Sequence, residues 1–251
     1  MNWLILRGLA RHQKHWGDFP KRLASQLKGR VECLDAPGFG LEANRPSPLS
    51  VKEIMYDYRS RWIQKHFEGD WGVLGHSLGG MVALEWAHRF PEDFKAVAVM
   101  NTSFKGLSPI WKRLSKDAVF YMSQILSAKN SAKKEELILK MITRKGSDHS
   151  ETLKEWLELE KVQPSSVNNA IRQLFAASKY KAPEEIEVPL LVLSGGGDRM
   201  VDRSCSQKVA DHFAAELRRH PTAGHDIALD DGRWLVDQIS QFSASLKGMR
   251  P

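Results

Sequence analysis

Cysteine is scarce in this chain: Cys33 and Cys205 are the only two in 251 residues, far apart and in no metal-ligand spacing. That scarcity excludes a disulfide framework and a cysteine-built zinc site, and it suits a reducing compartment. Long hydrophobic runs are missing as well. The apolar stretch in the opening "MNWLILRGLA" is four residues, Trp3 to Leu6. Four residues are too few for the core of a signal peptide or for a membrane span, so the segment reads as a buried strand and the expected location is the cytoplasm. Low-complexity tracts, internal repeats and Pro-, Gly- or Ser-rich linkers are absent too. What remains is a single globular unit with room for one insertion.

Negative charge is in shorter supply than positive, giving a formal net charge of +7. Its distribution matters more than its size. Residues 104–181 hold fifteen Lys/Arg against eight Asp/Glu, so this one stretch carries the whole surplus. No nucleic-acid motif accompanies it, and nucleic acid is not an expected partner. A solvated helical surface is the main reading, and attraction for an anionic small-molecule substrate is the alternative.

Short apolar runs alternate with helical patterns along most of the chain. "WLIL", "VECLD", "WGVLG", "KAVAVM", "PLLVLS" and "ELRRH" read as six strands. The middle ones lack polar alternation, as expected of parallel strands covered on both faces. Ser50 to Glu53 is a capping-box signature that opens a helix through about Phe67. Asp202 is the expected N-cap of a helix to about Ala214, and Asp230 or Asp231 opens the last one. The alternation predicts an α/β fold, a doubly wound and mostly parallel sheet. From about 103 to 182 no strand pattern occurs, only helical ones. We therefore expect a core of residues 1–102 and 183–251 with a helical lid inserted at 103–182, over the carboxyl ends of the strands where ligands bind in such sheets.

One junction carries chemistry. In "VLGHSLGGMVALEW" an apolar strand passes through Gly75-His76-Ser77-Leu78-Gly79 straight into a helix. A serine raised on so sharp a turn leaves no space for side chains two residues before and after it, which is what glycine at 75 and 79 provides. The new helix also points its unpaired amides at the serine. A serine nucleophile needs a base and the base an orienting acid. Asp198 follows "LLVLSGGG" and His225 follows "ELRRHPTAG", each just beyond a later strand, and the order Ser77, Asp198, His225 suits a covalent hydrolase. Asp202 is a rival acid already explained by capping, and His220 a rival base that falls inside a strand. The amides of Leu78 and of Leu9, after the first strand, are the candidate oxyanion donors.

With these residues the chain resembles the α/β-hydrolase superfamily, in particular small bacterial carboxylesterase-like members with a helical lid. "GHSLGG", "DAPGFG" at 35–40, "RPSPLSVKEI" and "AGHD" carry the likeness, over about 170 residues that exclude most of the lid. The resemblance implies cleavage of a small carboxylic ester or thioester through an acyl-enzyme, with neither cofactor nor metal. It extends to cofactor-free lyases of the menaquinone pathway, which abstract a proton with the same three residues, and to non-enzymatic ligand sensors on the same fold. Relatives carry histidine where this chain has Arg7, so the geometry around the Leu9 amide stands open.

Eight tryptophans are present, and Trp16, Trp62, Trp86, Trp156 and Trp234 fit helical packing. Trp111, Phe120, Tyr121 and Met122 are candidates for an apolar acyl pocket. His12, His15 and His76 sit near the proposed site in sequence and read as packing or surface residues, not as metal ligands.

Overall fold

The protein is described by a computed structural model covering residues 1–65, 68–144, 146 and 148–247. Six strands, β1 (Asn2–Leu6), β2 (Val31–Leu34), β3 (Trp71–His76), β4 (Ala96–Met100), β5 (Leu190–Gly195) and β6 (Glu216–His220), form one sheet in the order β2-β1-β3-β4-β5-β6. Every neighbouring pair is parallel. Side chains alternate between the two faces, and both faces are covered. Leu4, Leu6, Val73, Val97, Val99 and Val192 belong to one buried cluster, and Trp3, Ile5, Leu74, Ala98, Leu191 and Leu193 to another. This double burial is why the central strands read as unbroken apolar runs. The edge strand β6 is the polar exception.

Helices α1 (Phe19–Leu27), α2 (Val51–Ile63) and α3 (Leu78–Arg89) connect the first four strands. Ser50 caps α2 by accepting the Glu53 amide, as the capping signature demands. The helix ends at Ile63, and positions 66 and 67, where the expected end falls, lie outside the described residues. Among the described residues, five helices then stand between β4 and β5: α4 (Ile110–Arg113), α5 (Lys116–Ser127), α6 (Ser131–Ile142), α7 (Ser150–Val162) and α8 (Val167–Lys179). Ala118, Leu139, Ile142 and Trp156 give them a small core of their own. Where the chain leaves and rejoins the sheet, Lys105 and Lys181 form an isolated parallel bridge.

Two helices close the fold, α9 (Ser204–His212) and α10 (Ile227–Lys247). The helix α9 starts one residue later than an Asp202 cap implies, with Arg203 in the capping position, and Asp202 Oδ1 accepts the Ser204 amide from just outside. In α10 the backbone breaks at Asp231, whose side chain accepts the Trp234 amide and starts the helix afresh. Among the described residues no helix is long and apolar enough to cross a membrane.

Candidate active site

The turn from β3 into α3 places Ser77 at φ 53°, ψ −113°, a left-handed conformation that side chains rarely adopt. A Cβ at position 75 would lie 2.2 Å from the Gly79 oxygen, and one at 79 would lie 2.4 Å from the Leu6 oxygen. Glycine at both positions is therefore a steric necessity. The strained turn is tied down from the sheet side. Ser77 donates its amide to the Met100 oxygen (2.8 Å), and Thr102 Oγ1 donates to the Ser77 carbonyl (2.9 Å).

Asp198 and His225 meet across the ends of β5 and β6. Their loops pack backbone to backbone: the Gly196 amide donates to the His220 oxygen, and a Cβ at 196 would strike the Pro221 oxygen at 2.2 Å. Asp198 Oδ2 lies 2.8 Å from His225 Nδ1, and both side chains are buried. Asp198 Oδ1 accepts the amides of Met200 (2.7 Å) and Val201 (3.0 Å), so the carboxylate cannot turn away. A carboxylate on Nδ1 keeps a proton on that nitrogen and frees Nε2 to act as a base.

Ser77, His225 and Leu9 line one cavity of about 260 Å³, closed over by α5, α6 and α8. Among the described residues Ser77 Oγ makes no hydrogen bond, to His225 or otherwise. Nor does the amide of Leu9 or Leu78 donate to any protein acceptor. Leu78 opens α3, where the first amides have no partner inside the helix. Gly8 brings the Leu9 loop down onto the serine, since a Cβ there would lie 3.2 Å from Ser77 Cβ.

Arg7 reaches across to the histidine loop. Its Nη2 donates to Asp226 Oδ2 at 2.6 Å, with both side chains essentially inaccessible, and its guanidinium stacks 4.4 Å from the Trp16 ring centroid. Burial by itself would raise the Asp226 carboxyl, but the Arg7 charge and hydrogen bond hold it below its ordinary value. Arg11 makes a second buried pair with Glu135 on α6 (2.8 Å) and lies over Trp156. His76 packs beneath His225. Burial lowers its pKa to about 3, so it stays neutral, and its Nε2 lies 2.9 Å from the His225 carbonyl oxygen. That oxygen only accepts, so Nε2 carries the proton. Burial likewise lowers His12 to about 4 and His15 well below its ordinary value. Among the described residues no group of three His, Cys, Asp or Glu side chains is placed to hold a metal.

The rival residues lie elsewhere. His220 accepts the amides of Ala223 and Thr222 and faces Asp231, which shapes the histidine loop from beneath. Of the four candidates for an apolar pocket, Met122 lines the cavity; Trp111 and Phe120 are 71% and 58% exposed and do not. Helical periodicity picked their helices but not the face turned to the cavity.

Sequence reasoning missed Asn101. Its Nδ2 donates to the His225 carbonyl (2.7 Å), and its Oδ1 accepts the Gly195 amide (2.9 Å), which ties the two loops together. The signal was available: Asn101 follows β4 directly at φ 50°, and asparagine tolerates that conformation better than most residues.

Comparison with known proteins adds relatives to this geometry. The family model described as serine aminopeptidase, S33 matches residues 3–232. Over 91 residues the chain is 36% identical to the pimeloyl-[acyl-carrier protein] methyl ester esterase of Chromobacterium violaceum, covering 36% of this chain and 33% of that protein. The match thus spans about a third of that relative's length. Among solved structures, Rv0554 from Mycobacterium tuberculosis superposes with a TM-score of 0.76 at 16% identity, over 97% of this chain and 90% of that one. A lipase-esterase related protein from Clostridium acetobutylicum gives 0.72 at 17% identity, over 96% and 94%.

Proposed function

The chain belongs to the serine aminopeptidase S33 family of α/β-hydrolases, and from that membership we propose that it hydrolyses a carboxylic ester or thioester with an apolar acyl group. His225 Nε2 takes the proton of Ser77 as Oγ attacks the acyl carbonyl. The amides of Leu9 and Leu78 hold the oxyanion of the tetrahedral intermediate. Collapse expels the alcohol or thiol, protonated by His225, and leaves Ser77 acylated. Water, deprotonated by the same imidazole, then releases the acid. Asp198 keeps the proton on Nδ1 and stabilises the imidazolium formed at each step.

The observation that carries this reading is the convergence of a strained serine and a carboxylate-held histidine on one apolar cavity. The cavity walls favour an acyl chain: Met122, Ile125 and Leu126 from α5 face it, and so do Val167, Ile171 and Leu174 from α8. Its two carboxylates are already engaged, Glu135 with Arg11 and Glu160 with Ser165, which leaves little to hold the amino terminus of a peptide. Arg7 and Arg11 each pair with a carboxylate but keep guanidinium N–H groups without a protein partner, and Lys134 lines the cavity as well, so a negatively charged group on the acyl substrate also finds donors there. The surplus lysines include Lys133, Lys154 and Lys161, which pair with glutamates on exposed helix faces.

The test is a panel of p-nitrophenyl acyl esters with wild type and Ser77→Ala. We expect turnover by wild type and a loss of about a thousandfold or more in kcat in the variant, with the melting temperature nearly unchanged. Undiminished turnover by Ser77→Ala would sink the mechanism. Silence of wild type towards every ester, with Ser77 still labelled by a fluorophosphonate, would redirect the same residues to proton abstraction.

A further inference from the structure

We propose that Gln173, on α8, is a positioning residue for the Leu9 amide, so that the fit of the acyl chain against α8 is expressed in the chemical step. The inference rests on the oxyanion role given to that amide above.

Gly8 to Arg11 form a β-turn closed by the Arg11 amide on the Gly8 oxygen (3.3 Å). Its third residue, Ala10, has φ 57°. Turns with a positive φ at that position call for glycine, because a Cβ crowds the following carbonyl. Ala10 is held there by the helical insert: its amide donates to Gln173 Oε1 at 2.8 Å, and Gln173 is 1% exposed. Without that acceptor the turn gains by flipping the Leu9–Ala10 peptide. The flip reverses the Leu9 carbonyl and shifts the adjoining peptide, which bears the Leu9 amide.

The rest of α8 explains how substrate reaches this contact. One turn before Gln173, Asn169 accepts the Ser47 amide (2.9 Å) and donates to the Gly38 oxygen (3.3 Å). Two amide side chains four residues apart thus fasten one edge of the helix to two core loops. Ile171 and Leu174, two residues before and one after Gln173, wall the cavity. An acyl chain packed on them steadies the helix turn that holds Ala10. Binding energy far from the carbonyl is then used to raise kcat and not only to lower KM.

The experiment measures kcat and KM for acetyl, butyryl and octanoyl p-nitrophenyl esters. We expect wild-type kcat to rise with chain length. Gln173→Leu should lose about tenfold in kcat on the octanoyl ester, part of what a lost oxyanion donor costs, with KM changed less than about threefold and the rise flattened. Gln173→Glu keeps an acceptor and should stay within about threefold of wild type. Adding Ala10→Gly to Gln173→Leu should recover most of the loss, because glycine holds the turn unaided. A residue that only stabilised the insert would show no such recovery. Should Gln173→Leu fail to fold, Gln173→Asn, which withdraws the carbonyl by one methylene, carries the same expectation. Wild-type kcat in the variant, a loss that Ala10→Gly does not restore, or a wild-type series in which chain length moves KM alone would each overturn the proposal. Ser77→Ala keeps the two ideas apart: if it is dead while Gln173→Leu is fully active, only the role of Gln173 falls.

Discussion

The floor and the roof of the cavity are built by opposite means. The floor is backbone and buried polar groups locked by short hydrogen bonds: Ser77 to Met100, Asp198 to two amides and His225, Asn101 to the His225 carbonyl and the Gly195 amide, Arg7 to Asp226. The roof is apolar and half open. Leu126 and Ile171 line the cavity, yet they are 70% and 57% exposed. The floor therefore has few alternative arrangements and tolerates little change, whereas exposed roof side chains such as Leu126 and Ile171 are not locked into a core.

Four perturbations would break or sharpen that contrast. The most severe is Gly79→Ala, which drives a methyl group into the backbone oxygens of Leu6 and Arg7, 2.4 and 2.7 Å away. We expect at least about 4 kcal/mol of destabilisation, read from urea unfolding, and a variant within 1 kcal/mol of wild type would show the floor to be far softer than described. Arg7→Leu comes next. It strands the buried Asp226 carboxylate and should cost about 3–5 kcal/mol, while removing both partners with Arg7→Met and Asp226→Leu should cost less. An equal cost for the single and double variants would mean that packing on Trp16 matters more than the ion pair.

Acid should weaken the floor without any mutation. Burial lowers His76 to about 3 and His12 to about 4, both below the ordinary value of 6.5. The unfolded chain therefore takes up protons first. Stability from this source is complete above about pH 6.5 and drains as pH falls towards 4, by about 1 kcal/mol per pH unit from each histidine and roughly 3 kcal/mol by pH 5. A melting temperature flat between pH 7 and 5 would contradict the neutral burial of these rings. The mildest changes are Leu126→Ser and Ile171→Ser in the roof. Each should move stability by no more than about 0.5 kcal/mol, while kcat/KM for the octanoyl ester falls about tenfold relative to the acetyl ester. Loss of folding would show the roof to be structural after all.

The same contrast decides what could be read from residues alone. The central strands β1, β3, β4 and β5 were legible because burial on both faces leaves their middles apolar. The serine turn was legible because its geometry dictates glycine at 75 and 79, and the loops of Asp198 and His225 because chain order places them after strands. Partners chosen by tertiary contact were not. Nothing near Arg7 in sequence points to Asp226, more than two hundred residues away, and a glutamine inside an amphipathic helix, such as Gln173, reads as surface. The roof was the least legible part: the pattern of α5 offered Phe120 and Met122 alike, and only the packed helices separate the exposed one from the wall.

The bridge between Lys105 and Lys181 gives the inserted helices a further property. Exit and re-entry points lie side by side, so the intervening chain is a cassette whose length the sheet does not sense, and closing a longer or shorter one differs by only a logarithmic entropy cost. A transplant from a distant homologue must match the host at that doorway and replace the contacts that Glu135 and Asn169 make with Arg11, Ser47 and Gly38. It must also bring along a carbonyl for Ala10.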